Sequence, residues 1–194
     1  MENRAFSGII VVGASAGGLN ALISLLSKLP AKFKIPILIV QHTSPYQESL
    51  LTDILGKRSV LPVVEAEDKM MISPGLVIVA PPNYHMLVES DATISLSTDE
   101  KVKYSRPSID VLFESTAWVY GKNSLGIILS GANDDGAKGI MEIREAGGIT
   151  LAQNPKTAEF ALMPQAAIET GAVDFILTID EIAAFILEKN KSHN

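Results

Sequence analysis

The chain has 194 residues, 47% hydrophobic and 20% charged, with a formal net charge of -6 and no cysteine. That length supports one domain over 1–194 with a sizeable core, and is too short for two comfortable ones. An acidic chain without clustered Lys and Arg excludes a nucleic-acid surface as its main business. The missing cysteines exclude disulfides, a thiolate nucleophile and a Cys-based metal site, and they suit a reducing cytoplasm.

The first element is the apolar run Gly8 to Val12, rich in β-branched residues, which predicts a strand buried on both faces of a parallel sheet. It superficially imitates the apolar part of a signal peptide. Glu2 offsets Arg4, however, the run is short, and cleavage at "ASA" would remove the strand. After a glycine turn, Leu19, Leu22, Ile23, Leu26 and Leu29 recur at helical spacing until Pro30 ends the pattern. Ile35 to Gln41 reads as a second buried strand. Ser44-Pro45-Tyr46-Gln47 then supplies a capping box for a helix running to about Leu55.

The middle of the chain consists of short β-type runs, "VLPVVEA", "GLVIVAPP", "YHMLVES" and "ATISLST", separated by Pro, Gly, Ser and Asp. Glu89 to Ala92 reads as a hairpin turn, so an antiparallel excursion is expected at the sheet's edge. Helical spacing returns after Arg106-Pro107-Ser108, with Ile109, Leu112, Phe113 and Ala117 on one face. Leu125 to Ser130 is another buried strand, followed by the turn "GANDDG" and a helix from about Ala137 to Ala146. "GGITLAQ" and "AVDFIL" are strands on either side of a short helix, "MPQAAIETG", closed by Gly171. Thr178 to Glu181 forms a capping box for a last amphipathic helix, and "KNKSHN" reads as a frayed tail. Repeated β-α alternation predicts an α/β fold: a three-layer, doubly wound, mostly parallel sheet. No apolar run approaches the roughly 20 residues that cross a bilayer, so membrane insertion is not expected.

In such sheets ligands bind outside the carboxyl ends of the strands. Ser15 follows the first strand, His42 the second, and Asp134 and Asp135 follow the run ending at Ser130. A hydroxyl, an imidazole and a carboxylate at three strand ends have the makings of a nucleophilic triad. Serine needs a base to take its proton, and the base needs a carboxylate to hold its tautomer. The spacing Gly13-x-Ser15-x-Gly17 fits a nucleophile elbow, in which the Ala16 N–H faces the developing oxyanion and the following helix adds its positive end. Each residue alone also has a structural explanation: Ser15 as a helix cap, His42 as a hydrogen-bonded strand end, "NDDG" as turn chemistry.

A dinucleotide site fits less well, because Ser15 replaces the second glycine of the G-x-G-x-x-G pattern and Gln41-His42 stand where a ribose-binding acid belongs. A phosphate loop lacks its Lys-Ser/Thr pair. His85 reads as structural, since no second ligand is near it in sequence, and His193 lies in the tail. "EAEDK" reads as a solvated turn and Trp118, on the helix after Pro107, as core or surface packing.

The stretches "GASAGG", "QHTSP", "EAEDK", "VAPPNYHM", "RPSIDVLFES", "GIILSGANDDGAKGI", "AGGITLAQN" and "MPQAAIETGAVD" occur in an order that resembles the catalytic domain of the chemotaxis protein-glutamate methylesterases, the CheB family. The likeness runs from about Gly8 to Leu187. It implies a cytoplasmic serine hydrolase that removes methyl esters from glutamates on the cytoplasmic helices of chemoreceptors, with glutamine deamidation a second activity of many members. It implies no metal or organic cofactor. Carried over by motif, the nucleophile falls on Ser15, the base on His42, the carboxylate on Asp135 rather than Asp134, and the second oxyanion N–H on Ala132.

Ala16 stands where many members have threonine, and Ala132 where methionine is usual, which leaves room for a small-ester hydrolase outside chemotaxis. A non-catalytic signalling module is the remaining alternative, disfavoured because Ser15, His42 and Asp135 are all retained. Many members carry a regulatory receiver domain before the catalytic one. This chain begins only a few residues before its first strand, so a separate regulatory or receiver protein is the expected partner for control.

Overall fold

The computed structural model describes residues 8–42 and 50–191. The capping box expected at Ser44 to Gln47 lies outside the described residues, as does His193. Seven strands form one sheet in the order β3-β4-β2-β1-β7-β8-β9, with every neighbouring pair parallel. Its centre is β1 (Ile9–Ala14), flanked by β2 (Ile37–Gln41) and β7 (Ser124–Ile128), and every residue of these three strands is buried. Such strands read as unbroken apolar runs because helices cover both faces, which is why their positions are plain in the sequence.

The period of two along β1 assigns its side chains to two cores. Ile10 and Val12 pack with Leu22, Leu25, Ile182 and Ile186 of α1 (Gly18–Leu26) and α6 (Ile179–Lys191). Ile9 and Val11 pack on the opposite face with Ile109 and Phe113 of α3 (Ile109–Tyr120), Ile140 of α4 (Ala137–Glu145) and Met163 of α5 (Leu162–Glu169). On the first face Leu51 and Leu55 of α2 (Leu51–Gly56) complete the layer. At the head of α6 the Thr178 N–H and hydroxyl both donate to Glu181 Oε2 at 2.8 Å, and the Glu181 N–H returns to Thr178 Oγ1 at 3.3 Å. This is the expected capping box.

Two of the four short middle runs become β3 (Val63–Glu65) and β4 (Val77–Val79), which extend the parallel sheet beyond β2. The other two, β5 (His85–Val88) and β6 (Ile94–Ser97), pair antiparallel. This hairpin is a two-stranded sheet of its own, and β5 packs on α3. After it the chain crosses to the far side of β1 and lays down β7, β8 (Ile149–Gln153) and β9 (Phe175–Leu177). The direction of sheet growth therefore reverses between β1 and β7, where a doubly wound sheet opens a crevice beyond its strand ends. Among the described residues, no helix is long and apolar enough to cross a membrane.

Candidate active site

Ser15 leaves the end of β1 directly into that crevice. Its N–H donates to the Ser130 carbonyl beyond β7 at 2.9 Å, while its own carbonyl accepts from Gly18 N at 2.9 Å and from Gln41 Nε2 at 2.8 Å. The same Gln41 amide donates to the His42 carbonyl at 2.9 Å, and His42 N–H donates to the Ala14 carbonyl at 3.0 Å. Since Ala14 and Gln41 are register partners, Ser15 and His42 are the next residues on two adjacent strand ends, tied together by one buried amide.

The turn after Ser15 carries its left-handed residue at Gly17, with φ 71°, and not at the serine. A side chain at Gly17 would also meet Glu159 Cβ at 2.6 Å. Ser130 Oγ braces the turn from the other strand, donating to the Ala16 carbonyl at 2.8 Å and accepting from Phe160 N at 2.9 Å. Ser15 is half-buried, and among the described residues its hydroxyl makes no hydrogen bond.

Asp135, with 0% of its surface exposed, sits under His42 and accepts four hydrogen bonds. Oδ1 takes Ser108 Oγ at 2.9 Å and Asp110 N at 3.1 Å; Oδ2 takes Ile109 N at 2.7 Å and His42 Nε2 at 2.9 Å. The carboxylate thus occupies the N-terminus of α3, where unpaired N–H groups and the helix dipole favour an anion. Burial alone pushes its pKa up, but the His42 hydrogen bond and the α3 N–H groups outweigh burial and hold it below the ordinary carboxylate value.

The orientation of His42 follows from a residue the sequence did not single out. The Asp135 N–H donates to Asn133 Oδ1 at 3.1 Å, which fixes the direction of that amide. Asn133 Nδ2 then faces His42 Nδ1 at 3.2 Å, so Nδ1 is the acceptor and Nε2 carries the proton donated to Asp135. The nitrogen left with a lone pair is Nδ1.

Asp134, by contrast, points to solvent and pairs with Lys103 at 3.0 Å. Asp110 is buried beneath the loop and caps α4 by accepting Gly136 N at 2.9 Å and Gly139 N at 2.7 Å. Burial raises its pKa, and the neighbouring Asp135 charge adds to that.

The N–H groups of Ala16 and Ala132 donate to no group among the described residues. The loop before Ala132 is anchored by Gly131 N donating to the Phe160 carbonyl at 3.1 Å and Met163 N donating to the Gly131 carbonyl at 2.9 Å. His85 is buried in the hairpin, with Nε2 3.0 Å from the Glu100 carbonyl and Nδ1 accepting Ser108 N at 3.2 Å. It braces the residue that in turn bonds Asp135, a structural role. Trp118 is 81% exposed on α3, not in the core. Among the described residues, no group of acidic and histidine side chains could hold a metal.

Asn133, Ser108 and Gln41 are the site residues that sequence reasoning passed over. Their only signals were position: Gln41 ends a strand, Ser108 precedes a helix, and Asn133 lies two before the acid in "GANDDG".

The chain matches the family described as CheB methylesterase over residues 10–186. A Leptospira interrogans protein, named as a candidate protein-glutamate methylesterase/protein-glutamine glutaminase, is 48% identical over 95% of both chains. Proteins named protein-glutamate methylesterase/protein-glutamine glutaminase from Syntrophus aciditrophicus and Pyrococcus horikoshii are 38% and 36% identical over 90% and 92% of this chain, which spans 52% and 50% of their lengths. The crystal structure of the Thermotoga maritima CheB methylesterase catalytic domain superposes with a TM-score of 0.90 at 31% identity, covering 94% of this chain and 98% of that one.

Proposed function

The chain belongs to the CheB methylesterase family, and from that premise we propose that residues 1–194 form a single catalytic domain, with its core at about 8–187, that removes methyl esters from glutamate side chains of chemoreceptors. Ser15 is the nucleophile, His42 the base and Asp135 the carboxylate that holds it. The observation that carries this reading is the setting of His42: its Nε2 lies 2.9 Å from the buried Asp135 carboxylate, its Nδ1 faces Asn133, and it stands on the strand end next to the one that bears Ser15.

In the reaction, Ser15 Oγ attacks the ester carbonyl while His42 Nδ1 takes its proton, Asn133 giving up its place on that nitrogen. Asp135 stabilises the imidazolium so formed. The tetrahedral oxyanion accepts from the N–H groups of Ala16 and Ala132, at the positive end of α1. Collapse breaks the bond to methoxide, which receives the proton from His42 and leaves as methanol. Water, deprotonated by His42, then attacks the acyl-enzyme and releases glutamate and free Ser15. A glutamine amide enters the same sequence with ammonia as the leaving group. None of these steps calls for a metal or organic cofactor.

On this reading the enzyme works in the cytoplasm, on the receptors' cytoplasmic helices. Methanol release from methyl-labelled receptor cytoplasmic fragments tests this directly. The parent protein is expected to release it and Ser15→Ala to release none; equal release by the two, or retention of the label by both, overturns the reading.

A further inference from the structure

A cleft of about 90 Å³ opens beside His42, bounded by Lys101, Tyr104 and Arg106 of the segment between β6 and α3. Arg106 Nη1 donates to the backbone carbonyls of Thr98 at 2.6 Å and Asp99 at 2.9 Å, so neutral acceptors hold the guanidinium in place. Its Nε is buried and has no hydrogen-bond partner. A buried donor on a cation with no acceptor carries an uncompensated desolvation cost. Among the described residues neither Arg106 nor exposed Lys101 is paired with a carboxylate, although Asp99 and Glu100 are their sequence neighbours.

Lys103 shows the contrast. Its ammonium lies 3.0 Å from the Asp134 carboxylate, 2.8 Å from the Asp134 carbonyl and 3.5 Å from Asp110. Lys103 and Tyr104 also form the two central positions of a tight turn, closed by Val102 and Ser105 exchanging hydrogen bonds at 3.1 and 2.8 Å. Both central residues have positive φ, 47° and 65°, a conformation that glycine and asparagine normally supply. The Lys103 contacts hold this unfavourable turn in place, and Tyr104, 97% exposed, stands on the wall of the cleft.

We propose that this cleft is a carboxylate subsite: Arg106 and Lys101 receive the side-chain carboxylate of an acidic residue flanking the ester on the polypeptide substrate, while His42 serves the ester itself. The inference rests on the reading of Ser15 and His42 as the ester-cleaving pair. A subsite of this kind lets a chain of net charge -6 hold an acidic residue, because cations at the contact act at short range while the distributed charge is screened by salt.

The test measures binding apart from turnover. Ser15→Ala protein is titrated into fluorescently labelled peptides carrying a glutamate methyl ester flanked by Glu or by Gln, and methanol release from the same peptides is followed with the parent protein. The Glu peptide is expected to bind about tenfold more tightly. That preference should shrink between about 50 mM and about 500 mM salt. It should also fall severalfold on adding Lys101→Gln, a surface change, and towards one on adding Arg106→Gln, whose folding is checked because Arg106 also anchors Thr98 and Asp99. Equal binding of the two peptides overturns the subsite even if both are hydrolysed. A preference that survives both substitutions overturns the assignment to Arg106 and Lys101. A preference shown by Ser15→Ala, with no methanol released by the parent, leaves the subsite standing and removes the esterase reading.

Discussion

Asp135 binds the head of α3 and His42 through four hydrogen bonds, and on the proposed reading those same bonds serve the chemistry. Replacing it with Asn puts an amide where His42 Nε2 needs an acceptor, and the wrong tautomer should cost about 10⁴ in turnover. Ester hydrolysis by Asp135→Asn, measured against its thermal stability, checks this; turnover within about tenfold of the parent would remove Asp135 from the triad. The pH dependence has a definite sign. Because the folded-state pKa of Asp135 is depressed, the stability it contributes is complete above the unfolded value of about 3.9 and is lost as pH falls through the depressed one. Parent and Asp135→Asn should therefore converge in acid-unfolding experiments only below about pH 4. Ser15, His42 and Asp135 could be named as candidates from the sequence because each follows a buried strand. Asn133 could not, since its role depends on which way one amide points, and that is decided by Asp135 N–H and His42 Nδ1, groups brought together only by the fold.

At the scale of elements, the strand-turn-helix unit from β1 to α1 does most to position Ser15, the proposed nucleophile. Gly17 combines φ 71° with a missing Cβ that would fall 2.6 Å from Glu159 Cβ, so Gly17→Ala is penalised twice. A loss of more than about 1 kcal/mol is expected, seen as a fall in Tm of at least about 2–4 °C. An unchanged Tm would mean that the turn is free to rearrange. The central strands and the long helices were legible because burial on both faces, or on one stripe, imposes a plain apolar period. The middle runs were legible as strands but not in their partners. Whether "GLVIVAPP" joins β2 or a hairpin depends on the pairing of Val77 with Ile37, forty residues apart in sequence, and local pattern carries no trace of it.

For the whole molecule, the decisive feature is the reversal of sheet order between β1 and β7, which delivers three sequence-distant strand ends to one crevice. The net charge, read alone, argues against an acidic partner; Lys101 and Arg106 beside the cleft, which among the described residues meet no carboxylate, are the local exception that the proposed subsite uses. The central claim is that Ser15 is an activated nucleophile. Its most direct test is treatment with a serine-directed fluorophosphonate, with the adduct located by mass spectrometry. A single adduct on Ser15 is expected, absent from Ser15→Ala and formed far more slowly in His42→Ala. No adduct on Ser15 in folded protein, or a labelling rate indifferent to His42, would contradict it.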